Sequence, residues 1–142
     1  MSRDNVTTPI TYSIDQDSGI ISEVWRGDVT AADLRRYWGA YLANPDVLAL
    51  RRTLVDLRAA NIRFTGAELS NLVSTVVLPA LKGRDWITAI VVEQPVQFGV
   101  SRQYQVFADH YSSDSIFYDY EEALLWLRQR GHKEQGEGAP TN

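Results

Sequence analysis

The chain has 142 residues, 44% of them hydrophobic and 23% charged, with a net charge of −4 and no cysteine. One globular domain with a sizeable core fits those values, whereas a disulfide framework, a thiolate nucleophile and a cysteine-type zinc site are excluded. No Lys/Arg block offers a surface to nucleic acid or an anionic membrane, and no apolar run approaches the ~18 residues of a membrane span.

Residues 1–8 are polar, lack the apolar core of a signal peptide and are expected to be flexible; a cytoplasmic location is the matching expectation. "ITYSIDQDSGIISEVWRG" reads as a hairpin. Ile10, Tyr12 and Ile14 alternate on one face, "QDSG" is turn chemistry, and Ile21 and Trp25 lie in the second strand. Thr30 caps a first helix, with Asp33 as its capping-box partner. Leu34, Trp38, Tyr41 and Leu42 form the buried stripe of that helix. Tyr37 crowds the same helix, so not every ring there can face a sheet. Asn44-Pro45 ends it. "TLVDL" (Thr53 to Leu57) is almost wholly apolar, as befits a strand buried on both faces, and a short basic loop follows. A second helix opens at Thr65 and carries Leu69, Leu72, Val73, Val76 and Val77 on one stripe; Pro79 should kink or break it. "WITAIVVE" (Trp86 to Glu93) is the clearest central strand. The third helix lies in "QPVQFGVSRQYQVFADHY", where Val100, Tyr104, Phe107, Ala108 and Tyr111 recur at helical spacing. "SIFYD" is the last strand. Asp119 with Glu122 caps a final helix, whose core residues are Ala123, Leu124, Trp126 and Leu127. The domain spans residues 9–130, and the Gly- and charge-rich residues 131–142 read as a disordered tail. The order β-β-α-β-α-β-α-β-α describes a single α/β domain. Its sheet is mostly parallel, with right-handed crossovers and one antiparallel strand from the hairpin.

Four stretches, "RGDVTAADL", "TLVDLRAANI", "VVEQPVQFGVSRQYQVFAD" and "IFYDYEEALLWL", occur in this sequence in that order. Together with the element order they resemble STAS domains, the family of sulfate-transporter tails and anti-sigma-factor antagonists. Within that family they are similar to the SpoIIAA-like branch, itself similar to CRAL-TRIO lipid carriers. The stretches are core and capping patterns without a catalytic signature. The resemblance therefore implies a STAS-like fold and a non-enzymatic regulatory or protein-interaction role. In anti-sigma-factor antagonists a serine just before a glycine, at a helix N-terminus, is phosphorylated. The matching stretch here is Phe64-Thr65-Gly66, with Phe64 where the family has an acid and without the serine pair.

Thr65 with Glu68 makes a capping box worth roughly 1 kcal/mol; a phosphorylated Thr65 at that helix N-terminus is the alternative. Asp56 is read as the end of a parallel strand, where α/β proteins place ligand-facing groups. It serves there as a ligand or general base, or else bonds the backbone of the next loop and pairs with Arg58 or Arg63. In "QFGVSR", Gly99 permits close backbone approach, and Ser101 and Arg102 can hold an anion at the dipole end of the helix. Packing of Phe98 and Gly99 onto the sheet is the competing explanation, and no GxGxxG or Walker loop is present. If the two strands are neighbours, Asp56, Arg58, Thr65, Gly66, Gln97, Gly99, Ser101 and Arg102 approach one another at one sheet edge and favour an anionic group. His110 lies off its helix's apolar stripe; a Ser-His-Asp triad would have to recruit it, and there is no GxSxG elbow. No catalytic residue, cofactor or metal is expected. The expected partner is an unidentified protein or a small anionic ligand, with a second copy of the chain as one such protein. A small-molecule or lipid-type ligand-binding domain is the alternative function. A hydrolase centred on Asp56 and Ser101 ranks third.

Overall fold

The computed structural model describes residues 8–138. The expected flexible segment, apart from Thr8, and residues 139–142 of the expected tail lie outside the described residues. β1 (Ile10–Asp15) and β2 (Ile20–Thr30) pair antiparallel. Gly19 turns the chain between them at φ +71, a left-handed conformation that glycine adopts without steric cost.

β3 (Arg52–Arg63), β4 (Trp86–Val91) and β5 (Ser112–Phe117) continue the sheet, each parallel to its neighbour, in the order β1-β2-β3-β4-β5. Spatial order thus equals chain order, and every crossover steps the same way. Right-handed connections then bring the crossover helices to one face. These are α1 (Ala31–Tyr41), α3 (Gly66–Leu72), α4 (Leu78–Leu81) and α5 (Pro95–Phe107). The other face is closed by α6 (Tyr120–Gly138), which buries Ala123 and Leu127 against Leu54, Ile87, Ala89 and Val91. β4 is buried along its whole length, as its near-continuous apolar sequence requires. Among the residues expected in the core, Leu54, Val55, Ile90 and Val92 are buried, while Val100, Phe107, Leu124 and Trp126 are half-buried.

Four features depart from the sequence-based expectations. First, β3 does not stop at Leu57 but runs on to Arg63. The residues expected as a basic loop are strand, because β2 is equally long and pairs with them as far as Thr30↔Arg63. A bulge lies within this pairing: Val24 faces Asp56, but Arg26 already faces Ala59. The inward positions of β3 therefore switch from Val55 and Leu57 to Ala60. Second, Asn44-Pro45 both ends α1 and begins α2 (Pro45–Leu50). Asn44 accepts from the Asp46 N–H at 2.9 Å, and proline suits the first helical position. Third, the helix from Thr65 is not cut at Pro79. It passes through a π-helical stretch, Val73–Val77, into α4. Proline has no N–H to give the carbonyl four residues back and crowds it, and the wider turn absorbs that mismatch. Fourth, the helical backbone of α6 continues beyond residue 130 to Gly138.

Candidate functional site

β3 is paired to β4 only as far as Asp56↔Val91. Asp56 is therefore not the end of its strand but the last residue of β3 with a neighbour on that side. The bulge follows at once. It leaves the Arg58 N–H outside the ladder, and Asp56 Oδ1 accepts it at 3.0 Å, which settles a donor that would otherwise lack a partner. The Arg58 side chain closes back on the same carboxylate through Nε and Nη2, both at 3.0 Å. Burial alone would raise the Asp56 carboxyl, but the Arg58 hydrogen bonds and charge outweigh it and hold the group below its ordinary range. The Arg58 guanidinium also lies over the Tyr120 ring, 5.6 Å from its centroid.

Gln97 sits on the opposite side of the sheet, completely buried. Its side-chain oxygen accepts the N–H groups of Glu93 (2.8 Å) and Gln94 (3.0 Å), and its nitrogen donates to the carbonyls of Ala60 (3.0 Å) and Arg58 (3.3 Å). Gln97 thereby ties the start of α5 to the part of β3 that has outrun β4, and its two donors and two acceptors are all engaged. Ser101, also buried, donates to the Gln97 carbonyl at 2.8 Å; among the described residues no imidazole hydrogen-bonds it. Gly99 is exposed, and a Cβ there would meet nothing within 4 Å. No close approach requires glycine at this point. A Cβ on Gly66 would lie 2.7 Å from Gln103 Nε2, so α3 and α5 meet closely at that residue.

Thr65 caps α3. Its hydroxyl accepts the Glu68 N–H at 3.1 Å, and Glu68 returns the bond to the Thr65 N–H at 2.8 Å. Arg102 is exposed and donates to Gln105 Oε1 at 2.6 Å, one turn along α5. It shares a groove along β5 with Asp114, Trp126 and Arg130. The structure thus joins Asp56 with Arg58, Arg58 with Gln97, and Gln97 with Ser101. Arg102 faces elsewhere, and His110 pairs with Asp109 on the surface at 3.4 Å.

The strand order bears on what this end of the sheet can hold. Ligand crevices of open α/β sheets form where strand order reverses and the helices part to opposite faces, and this sheet has no reversal. The carboxyl end of the sheet presents instead an exposed tyrosine on a half-buried phenylalanine. Tyr118 is 63% exposed and stacks on Phe98, ring centroids 6.0 Å apart and nearly parallel. Val96, in the first turn of α5, is 52% exposed.

A second feature lies inside the domain. Between the sheet and helices α1, α3, α4 and α5 is a cavity of about 70 Å³. Trp25, Trp38, Tyr41, Trp86 and Tyr104 line it together with Glu23, Thr53, Thr88 and Ser101. Glu23 occupies the inward position of β2 between Ile21 and Trp25 and is only 4% exposed. It accepts Trp25 Nε1 at 2.6 Å and the Tyr37 hydroxyl at 2.9 Å. Burial pushes its carboxyl up to about 7, although both hydrogen bonds pull the other way. Sequence reasoning missed this site, yet a signal was present: in "IISEVWRG" the acid falls in phase with Ile21 and Trp25, on the face that must be apolar.

A sequential five-stranded sheet, opened by an antiparallel hairpin and closed on its second face by the last helix, gives the chain a SpoIIAA-like fold. The chain aligns with the crystal structure of an uncharacterized protein from the DUF3478 family with a SpoIIAA-like fold, from Shewanella loihica PV-4. The TM-score is 0.61 at 21% identity, over 89% of this chain and 98% of that one. It also aligns with an anti-sigma factor antagonist from Mycobacterium paratuberculosis, with a TM-score of 0.55 at 16% identity, over 84% of this chain and 94% of the other. No protein-family model matches the sequence, and no curated protein matches it. Among the described residues, no helix is long and apolar enough to cross a membrane.

Proposed function

We propose that this domain is a non-enzymatic regulatory module that docks a protein partner on the carboxyl end of its sheet. The observation that carries the reading is the exposed Tyr118, stacked on the half-buried Phe98 at the end of the sheet where Arg58 pairs with Asp56 and lies over Tyr120. Large aromatic and arginine side chains left uncovered at one place are the usual anchors of an interface. The fold shared with an anti-sigma factor antagonist supports a regulatory role. Asp56, Arg58, Thr65, Gly66 and Gly99 belong to the proposed surface or its rim. Gln97 and Ser101 support it from beneath, and the exposed Arg102 extends it toward β5, where it would meet an acidic group of the partner. A photo-crosslinking amino acid at Tyr118, in the cells that make the protein, should yield a defined protein adduct. The same probe at Leu125, which is 56% exposed on α6, should not. An adduct of twice the chain mass would identify a homodimer; no adduct at 118, or equal labelling at both positions, would overturn the reading.

A second reading, a small-molecule-binding domain, is favoured by the aromatic cavity around Glu23. The two are compatible in one domain, since of the residues named for the surface only the buried Ser101, which supports it from beneath, also lines the cavity.

A further inference from the structure

We infer that the cavity beside Glu23 is a binding site for a small organic cation, an alkylammonium of about five heavy atoms. The inference rests on the second reading above and names the class of its ligand. Glu23 faces the cavity from β2 and is almost completely buried. Its two hydrogen bonds, from Trp25 and Tyr37, use about half of the four acceptor positions a carboxylate offers. Among the described residues no Lys, Arg or His forms an ion pair with it. A buried carboxylate ordinarily has a cationic partner or gives up its charge.

The groups packed around Glu23 supply no such partner. Trp25 comes from β2, Tyr37 and Tyr41 from α1, and Tyr104 from α5, with Tyr12 of β1 edge-on to Tyr37 and Tyr41. Burial, then the Glu23 charge, holds the Tyr37 and Tyr41 phenols well above their ordinary value. Burial acts first on Tyr104 in the same direction, followed by the charge of Asp114 on β5, so all three stay neutral. Asp114, hydrogen-bonded to the lining Thr88 and raised by burial to about 6, is a second acid and not a counter-charge. Two of the hydroxyls that line the cavity are committed elsewhere. Thr53 Oγ1 is bonded to the Tyr41 hydroxyl at 2.8 Å and accepts Trp86 Nε1 at 3.2 Å, and Ser101 donates to Gln97. Glu23 is left with spare acceptor capacity and no counter-charge, in a chamber lined by aromatic side chains.

That chemistry selects a cation. The ring quadrupoles attract positive charge, most strongly where water is excluded, and an ammonium N–H can donate to the free Glu23 positions. An anion would be repelled by the carboxylate. The size limit follows from the volume of about 70 Å³, room for about five water-sized groups at roughly 10–15 Å³ each.

Calorimetric titration of the full chain with butylammonium chloride, and separately with 1-butanol as a neutral probe of the same shape, tests this directly. Butylammonium should bind roughly tenfold or more tightly than 1-butanol. Its affinity should fall about tenfold from pH 8 to pH 6, as Glu23, with its carboxyl near 7, goes from mostly ionised to mostly protonated. Glu23→Gln should abolish the preference for the cation, with its thermal unfolding recorded alongside. If that variant does not fold, the pH dependence and the neutral comparison on the unmodified chain decide. Equal affinity for both probes, or butylammonium binding indifferent to pH, would overturn the cation while leaving an apolar binding cavity. Binding of neither probe would overturn the cavity reading as well.

Discussion

Replacing Glu23 by glutamine should remove a weakness that the fold shows only at neutral and alkaline pH. The carboxyl titrates near its ordinary 4.5 in the unfolded chain and is pushed up to about 7 by burial in the folded one. Between those values the folded state holds the proton more tightly, so stability falls as pH rises through the window and levels off above it. A difference of this size amounts to roughly 3 kcal/mol in full, and to roughly 2–3 kcal/mol between pH 5 and pH 8. Asp114, which burial raises to about 6, slopes the same way but is present in both proteins and cancels in the comparison. Asp33, held down by the Thr30 backbone N–H, and Asp56, held down by Arg58, act oppositely: their stabilisation is lost only as pH falls below the ordinary carboxylate range, outside this window. The assay is thermal unfolding of both proteins from pH 5 to pH 8 in amine-free buffer. The advantage of Glu23→Gln should grow with pH, by roughly 5–10 °C in melting temperature over the range. A gap that stays constant with pH would show that Glu23 is not buried as a lone carboxyl, and the account of the cavity would go with it.

Gln97→Met keeps the volume but strands two N–H groups and two carbonyls, and should cost about 3–5 kcal/mol in urea unfolding; a loss under 1 kcal/mol would mean that water replaces the amide. Thr65→Ala removes one acceptor from the start of α3 and should cost about 0.5–2 kcal/mol. Stoichiometric phosphate on Thr65 in protein from its native cells, read by mass spectrometry, would instead make this residue a switch. Leu127→Ala opens a void between α6 and the sheet and should cost about 2–5 kcal/mol, whereas a near-neutral result would mean that α6 is held elsewhere.

The fold was legible because its signals are local and periodic. The run from Trp86 to Val91 can only be a strand buried on both faces, and the Thr30–Asp33 and Thr65–Glu68 boxes mark two helix starts without reference to anything distant. The length of β3 was not legible. Arg58, Asn61 and Arg63 look like loop until β2 is known to run beside them, and that is a pairing across the sheet. The candidate residues fared unevenly for a related reason. Side-chain type and nearness to a strand end brought Asp56, Arg58 and Gln97 to attention, and these do meet. Arg102, however, lies two turns into α5, and helical phase carries it away from them. Glu23 went unnoticed because a single acid in a hairpin strand is ordinary, although its phase with Ile21 and Trp25 put it on the inward face; its full burial comes from the helices packed above it.

Because the sheet repeats the order of the chain, each new strand emerges next to the edge it will join. The hairpin of β1 and β2 closes on itself, and β3, β4 and β5 then add in turn, each after one helical crossover. No gap has to be held open for a later strand to insert. No pairing has to wait for a strand made later, which allows structure to accumulate during synthesis. The exception is the second face. Leu54, Ile87, Ala89 and Val91 stay uncovered until α6 is made, so a chain halted before Tyr120 carries a finished sheet with one bare apolar side.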